Sequence, residues 1–132
     1  MIGVDTNVLV RLIVGDDRQQ AKTAEDYLDK HCTPEQPGFI SLMVLCELVW
    51  TLDRIYRLDR ADVAKAVAGI LGNAVLAVEE REIAASALLQ FQSRGNDFAD
   101  LLIAFVNRKR GCEITVTFDR KAAKLDGFRL LS

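Results

Sequence analysis

Four carboxylates stand where an apolar segment of the chain ends or passes into a helix-like pattern. They are Asp5 in MIGVDTNVLVRLI, Glu47 in SLMVLCELVW, Asp100 in DFADLLIAF and Asp119 in ITVTFDRKA. A buried carboxylate without a partner loses much of its favourable hydration, so the sequence predicts that a divalent cation collects these four acids. Hard oxygen ligands select Mg²⁺, or Mn²⁺ as a substitute, and leave room for a substrate phosphate. The pattern therefore indicates metal-dependent phosphodiester hydrolysis.

Three of the acids in these segments have an alternative explanation as helix caps. Asp is a favoured N-cap residue, and Asp5, Asp97 and Asp119 each precede a helical pattern. For Asp97, capping of the following helix is the favoured role. Asp100 shares the helix face of Asp97 and is surrounded by apolar neighbours, so we expect it to be shielded from solvent.

Glu47 fits a purely structural role least well. Its helix face carries no cationic residue nearer than Arg54, which is about 10 Å away along the helix. A structural role would require an arginine from elsewhere in the fold, such as Arg11 or Arg94. A charged Glu inside an apolar segment otherwise needs a cation close by, because burial alone raises its pKa.

Short apolar segments alternate with helical patterns along the chain, and this alternation predicts an α/β fold with a mostly parallel sheet covered on both faces. The predicted strands are Ile2–Asp5, Phe39–Ile40, Ala74–Val78, Glu113–Thr117 and Gly127–Leu131. The predicted helices are Thr6–Val14, Gln19–His31, Leu42–Tyr56, a segment from Asp59 or Arg60 to Gly72, Glu79–Gln92 and Asp97–Arg108. Sites in such folds form beyond the carboxyl ends of the strands, so the four acids can converge there.

Composition limits the broad class of the protein. The chain of 132 residues is 50% apolar and 27% charged, which predicts one domain over residues 1–132. With neither a signal peptide nor a membrane span in the sequence, we expect a cytoplasmic protein. The three cysteines, Cys32, Cys46 and Cys112, are widely spaced and accompanied only by His31, so we expect buried or inert thiols and neither zinc nor disulfides.

Charge is distributed unevenly along the chain. The net charge of -2 argues against nonspecific coating of nucleic acid. Residues 94–132 nevertheless hold eight Lys and Arg against five acids. This excess predicts either a basic rim around an acidic pocket or a solvated charged face.

Four segments of the chain resemble the PIN-domain endoribonucleases, and specifically the VapC toxins of prokaryotic type II toxin–antitoxin pairs. They are VDTNVLVRLI, ISLMVLCELVW, DFADLLIAF and VTFDRKAAKL, in that order. The resemblance implies a three-layer α/β/α sandwich with a five-stranded parallel sheet. It also implies Mg²⁺- or Mn²⁺-dependent cleavage of RNA, often structured tRNA or rRNA, a small antitoxin of the VapB type, and pairing of the toxin as a homodimer.

The resemblance also implies a role for particular residues. Asp5, Glu47, Asp100 and Asp119 match the acidic quartet of the family. The other matches are Asp97 as an auxiliary acid, and Thr6, Asn7 and Thr117 as polar residues that support the first and last acids.

We expect Asp5 and Asp100 to be the main metal ligands and Asp119 to be a weaker one, while Glu47 ligates or orients the attacking water. Asp126 departs from the family pattern, where proline is frequent, but it lies outside the predicted site.

Three other functions fit parts of the pattern. A receiver domain or a haloacid-dehalogenase-type phosphatase also gathers acids around Mg²⁺, but each needs a further acid near the first, where this chain has Thr6 and Asn7. A pure interaction protein would bind a basic partner without hydrolysing RNA. A PIN domain serving RNA processing is the remaining alternative to a toxin.

Overall fold

The computed structural model describes all residues of the chain, Met1–Ser132, and contains six α-helices and five short strands. The helices are α1 (Thr6–Val14), α2 (Arg18–His31), α3 (Leu42–Arg54), α4 (Arg60–Leu71), α5 (Arg81–Arg94) and α6 (Phe98–Lys109). The strands are β1 (Ile2–Gly3), β2 (Gly38–Ile40), β3 (Leu76–Val78), β4 (Thr115–Thr117) and β5 (Phe128–Leu130). The predicted α/β class is therefore confirmed. The chain divides into two compact units, Met1–Arg81 and Glu82–Ser132, which are described separately.

All strand pairs are parallel, and they form two hydrogen-bonded sheets. In the first unit the order is β1-β2-β3, with Gly38 opposite both Ile2 and Leu76. In the second unit β4 pairs with β5, with Thr115 opposite Phe128. The prediction of one five-stranded sheet is wrong in this respect. Each strand has only two or three residues, so each ladder is short.

The backbone accounts for two boundaries that differ from the prediction. Helix α5 was expected from Glu79, but the backbone N–H of Glu79 donates to Ile40 O at 2.8 Å and continues the β2–β3 ladder. Glu80 then has a φ of 49°, a left-handed conformation that separates the strand from the helix. Helix α3 ends at Arg54, two residues before the predicted end, and Arg57 beyond it also has a positive φ, of 55°.

Polar side chains begin most of the helices, as their types predict. Asp17, Asp59 and Asp97 accept hydrogen bonds from backbone N–H groups in the first turns of α2, α4 and α6. Ser41 Oγ does the same for α3, with Val44 N at 3.2 Å. These caps fix where each helix begins, and therefore where the side chains of its first turns lie.

The core of the first unit is aliphatic. Its largest fully buried side chains come from α1, β2, α3 and α4: Leu9, Ile40, Leu45, Leu48, Leu52, Val63 and Val67. Helix α1 packs against α2 and α3, and α3 packs against α4. Helix α2 contributes no buried residue.

The second unit has its own small core, which includes an aromatic pair. Phe91 of α5 and Phe98 of α6 meet edge to face, with ring centroids 5.8 Å apart. Leu88, Leu101 and Leu102 are also buried in this unit.

Two further features bear on the composition-based expectations. Cys32 is buried, Cys46 is partly buried, and Cys112 is exposed in the segment between α6 and β4. No helix combines the length and apolar character needed to cross a lipid bilayer.

Truncation of a core leucine tests this packing. Leu48 of α3 has 0% of its surface exposed, so Leu48→Ala is expected to lower the free energy of unfolding by about 2–5 kcal/mol through lost burial and a cavity. Met43 on the same helix is 79% exposed, and Met43→Ala should change it by less than about 0.5 kcal/mol. Urea unfolding followed by circular dichroism measures both values. Similar losses in the two variants would contradict this assignment of the faces of α3.

Candidate active site

The first acid of the predicted site lies between β1 and α1. Asp5 has an extended backbone conformation and is the N-cap of α1, where its Oδ1 accepts the backbone N–H of Thr6 at 2.7 Å. Its side chain is exposed. The bond uses one carboxylate oxygen, so capping and the ligation of a cation by the second oxygen are compatible.

Thr6 joins Asp5 to the second acid. Its backbone N–H donates to Asp5, and its hydroxyl Oγ1 donates to Glu47 Oε1 at 2.5 Å. Thr6, the first residue of α1, is itself buried, with 8% of its surface exposed. One buried residue of the first unit therefore positions both carboxylates.

Arg11, one of the two arginines considered as structural partners for Glu47, is engaged elsewhere. Arg11 donates to Gln20 Oε1 at 2.6 Å, to Asp16 Oδ1 at 3.3 Å and to the Tyr56 hydroxyl at 3.3 Å. The partner of Glu47 in this unit is thus a hydroxyl group, which orients the carboxylate without neutralising its charge.

Asn7 and Glu79 complete the polar groups at this end of the first unit. Asn7 lies on the exposed side of α1 and bonds to neither Asp5 nor Glu47. Glu79 was not among the predicted site residues. It follows β3 as Asp5 follows β1, and this position after a strand could have identified it as a candidate. Its Oε1 accepts the backbone N–H of Leu42 at 2.9 Å, so it supports the start of α3.

In the second unit, Asp97 and Asp100 share the first turn of α6. Asp97 is the N-cap, and its Oδ1 accepts the backbone N–H of Asp100 at 3.0 Å, which confirms the predicted capping. Asp100 is partly buried. Burial raises the pKa of the Asp100 carboxyl above its ordinary value, the charges of Asp97 and Asp119 raise it further, and Lys121 opposes the shift.

Asp119 follows β4 and organises the turn after it. Its Oδ1 accepts the backbone N–H groups of Lys121 at 2.8 Å and Ala122 at 3.3 Å, and Thr117 Oγ1 accepts the backbone N–H of Asp119 at 3.0 Å. The helical pattern that follows Asp119 forms only a 3₁₀ turn, Ala122–Lys124. Thr117 holds the backbone of Asp119, and Asp119 holds the turn.

The premise that the four acids are buried is wrong for three of them. Asp5, Glu47 and Asp119 are exposed, and Asp100 is only partly buried. Asp5 and Asp119 lie just beyond strands, where the chain leaves the core. Glu47 points away from the buried face of its helix. These exposed carboxylates keep much of their hydration, so a cation is not required to compensate for its loss.

The chemistry of the donors nevertheless fits a hard divalent cation. Three ion pairs, Arg11–Asp16, Lys22–Asp26 and Arg54–Asp53, involve other carboxylates. In the second unit, burial and then the charges of Asp97 and Asp119 raise the pKa of Asp100, and a cation would relieve the repulsion among these carboxylates. In neither unit do three His, Cys, Asp or Glu side chains gather closely enough to hold a metal ion by themselves. Mg²⁺ needs no such cage, since it commonly takes one or two carboxylates and several waters.

Comparison with known proteins adds an independent finding. A model of the PIN domain family matches residues 2–128, a range that contains the five predicted acids, Asp5, Glu47, Asp97, Asp100 and Asp119. The chain is also 27% identical over 129 residues to the VapC ribonuclease of Aquifex aeolicus (strain VF5), and the alignment covers 98% of this chain and 94% of that protein. The family match extends over almost the entire sequence, and the chain therefore belongs to the PIN domain family.

Proposed function

We propose that this chain is a metal-dependent endoribonuclease, a single PIN domain that acts as the toxin of a toxin–antitoxin pair. Membership of the PIN domain family and similarity to a protein named VapC ribonuclease support the nuclease assignment. The arrangement of carboxylates in each unit supports the dependence on a metal, with Mg²⁺ as the cofactor and Mn²⁺ as its substitute.

The environment of Asp100 is the main structural support for this proposal. Burial raises the pKa of the Asp100 carboxyl, and the nearby charges of Asp97 and Asp119 raise it further. Such crowding of like charges is unfavourable for a scaffold without a ligand and is typical of functional sites. A divalent cation would turn that repulsion into attraction.

The proposed roles follow from what each side chain can donate. Asp5 and Asp100 are the principal ligands, Asp119 is a weaker one, and Asp97 is an auxiliary acid that holds the first turn of α6. When bound, Mg²⁺ supplies polarisation of the phosphoryl oxygen and a lowered pKa of a coordinated water.

Three hydroxyl- or amide-bearing residues have supporting roles in the proposal. Thr6 directs the carboxylate of Glu47, which orients the attacking water, and Thr117 fixes the backbone of Asp119. Asn7, exposed beside Thr6 on α1, is proposed as a polar residue that supports the first acid, Asp5.

The proposed substrate and partners come from the resemblance to VapC toxins. The substrate is RNA, with structured tRNA or rRNA as the expected class. A small antitoxin of the VapB type is the proposed inhibitory partner, and the toxin is proposed to form a homodimer.

Replacement of the proposed ligands tests the activity. Asp5→Asn and Asp100→Asn should each lower the cleavage rate by more than about 100-fold, since changing a residue that only supports a metal ligand already lowers activity about 10- to 100-fold. Cleavage of total tRNA and rRNA by the purified, antitoxin-free protein is measured with Mg²⁺, with Mn²⁺ and with chelator. Asp126→Asn is the matched control, because Asp126 is exposed and outside the proposed site. Full activity in the Asp5 and Asp100 variants would refute the assignment.

The Thr6 hydroxyl can be tested separately from the fold. Thr6→Val keeps the shape of the buried side chain and the backbone N–H that donates to Asp5, but it removes the donor to Glu47. We expect a fall of about 10- to 100-fold in the single-turnover rate. Thr6→Ser restores the hydroxyl and should restore most of that rate. A Thr6→Val enzyme as fast as the wild type would show that orientation of Glu47 is unimportant.

The raised pKa of Asp100 makes a prediction about stability and pH. Because the folded protein holds this proton more tightly than the unfolded chain, its stability falls as pH rises from the ordinary Asp pKa through the raised value. Asp100→Asn, which is always neutral, should therefore melt at a higher temperature than the wild type at pH 7 in chelator. The difference should vanish near pH 3, where both side chains are uncharged.

Calorimetric scans with and without Mn²⁺ provide the control for this effect. Mn²⁺ at neutral pH should raise the melting temperature of the wild type more than that of Asp100→Asn. If Asp100→Asn melts below the wild type at neutral pH in chelator, another group of this chain must stabilise the ionised form of Asp100.

A further inference from the structure

A side-chain hydrogen bond joins α6 to β4 in the second unit. Asn107 Nδ2 donates to Thr115 Oγ1 at 2.9 Å, and both residues are half-buried. This bond is called the α6–β4 bridge below. Helix α6 carries Asp100 and β4 leads to Asp119, so the bridge connects the two elements that present the proposed metal ligands of this unit.

Asn107 also organises the backbone between these two elements. Its carbonyl oxygen accepts the backbone N–H groups of Arg110 at 3.1 Å and of Cys112 at 3.0 Å. Gly111 lies between these two donors and has a φ of 94°, a conformation that favours glycine. The chain from the end of α6 to the start of β4 is therefore held by one residue, through its main chain and its side chain.

The bridge and the acids share one side of each element. Asn107 follows Asp100 by seven residues, which is about two helical turns and about 10 Å along the axis of α6. Thr115 and Thr117 share the half-buried side of β4, because alternate residues of a strand point the same way. Asp119 follows Thr117 by two residues.

The bridge lies at one end of α6 and β4, and the acids lie at the other. The chain runs along α6 away from Asp100, turns at Gly111, and runs along β4 towards Asp119. A shift of β4 along α6 would therefore change the separation of the two acids. The charge of Asp119 raises the pKa of the Asp100 carboxyl, so these acids are close enough to interact.

We propose that Asn107 and Thr115 are positioning residues that set the separation of Asp100 and Asp119 for binding of a divalent cation. The inference rests on the proposed metal-dependent function and gives a role in it to a polar pair at the other end of α6 and β4. Mg²⁺ requires nearly ideal octahedral geometry, so a small displacement of one ligand weakens its binding. A hydrogen bond is directional, so the bridge limits the sliding of β4 along α6.

Removal of the Thr115 hydroxyl tests the proposal. Thr115→Val keeps the shape of the side chain but breaks the bridge. We expect the dissociation constant for Mn²⁺, measured by calorimetry on the RNA-free protein, to rise about 10-fold, the lower end of the effect of losing a group that orients a metal ligand. The Mn²⁺ concentration for half-maximal RNA cleavage should rise by a similar factor, while the rate at saturating Mn²⁺ changes less.

Two further variants provide a rescue and a control. Thr115→Ser keeps the hydroxyl and should bind Mn²⁺ like the wild type. Thr23→Val is the matched control, because Thr23 of α2 also uses its hydroxyl in a hydrogen bond, to Gln19 O at 2.9 Å, on a helix that carries no proposed ligand. This control should keep the wild-type Mn²⁺ affinity.

A paired substitution separates positioning from stability. Thr115→Val leaves the Asn107 amide without its partner, which should lower the melting temperature. Asn107→Leu combined with Thr115→Val replaces both polar groups by apolar ones, so the melting temperature should largely recover. The Mn²⁺ affinity of the double variant should stay low, because apolar contact does not restore the directional bond. This variant also carries the test if Thr115→Val does not fold.

The outcomes distinguish this inference from the proposed function. Wild-type Mn²⁺ affinity in Thr115→Val, together with metal-dependent cleavage of RNA, would overturn the positioning role and leave the ribonuclease assignment intact. Recovery of both the melting temperature and the Mn²⁺ affinity in the double variant would also overturn it, since the bridge would then serve only the fold. A wild-type protein that neither binds Mn²⁺ nor cleaves RNA would overturn both.

Discussion

Two hydrogen bonds made by Thr6 organise the acidic end of the first unit. The backbone N–H fixes Asp5 at the start of α1, and the hydroxyl reaches Glu47 on α3, which is 41 residues later in the chain. Asp5 depends on the end of β1, and Glu47 depends on the start of α3 at Ser41, so this contact links the sheet to two helices. Because Thr6 is buried and donates to both acids, it sets their orientation while leaving both carboxylates in solvent.

The second unit arranges its acids by a different physical means. Asp97 and Asp119 each use an oxygen to accept backbone N–H groups, so their positions are set by the turns that they cap. Asp100 is partly buried and lies near these two charges, and both effects raise the pKa of its carboxyl. Caps that stabilise local structure thereby create a region of negative potential, and Lys121 compensates for only part of it.

The sequence predicted what depends on local chemistry and missed what depends on distant contacts. The caps at Ser41 and Asp97 follow from the residue type and from the apolar helical pattern after each. Helices α3 and α6 therefore begin where expected. The exposure of Glu47 was mispredicted, because an apolar neighbourhood in sequence does not show which face of α3 packs inward. The bond from Thr6 to Glu47 joins residues that no local pattern relates. The division of the strands into two sheets likewise depends on pairing between distant segments, which periodicity does not encode.

Helix α2 differs from the other five helices, since none of its fourteen residues is buried. Half-buried side chains hold it against α1, and the bond from Arg11 to Gln20 adds one polar contact at its start. A helix with so little buried surface opens locally at a small fraction of the free energy of global unfolding. We therefore expect α2 to open at a lower free energy than the core and to be an early site of cleavage by an added protease.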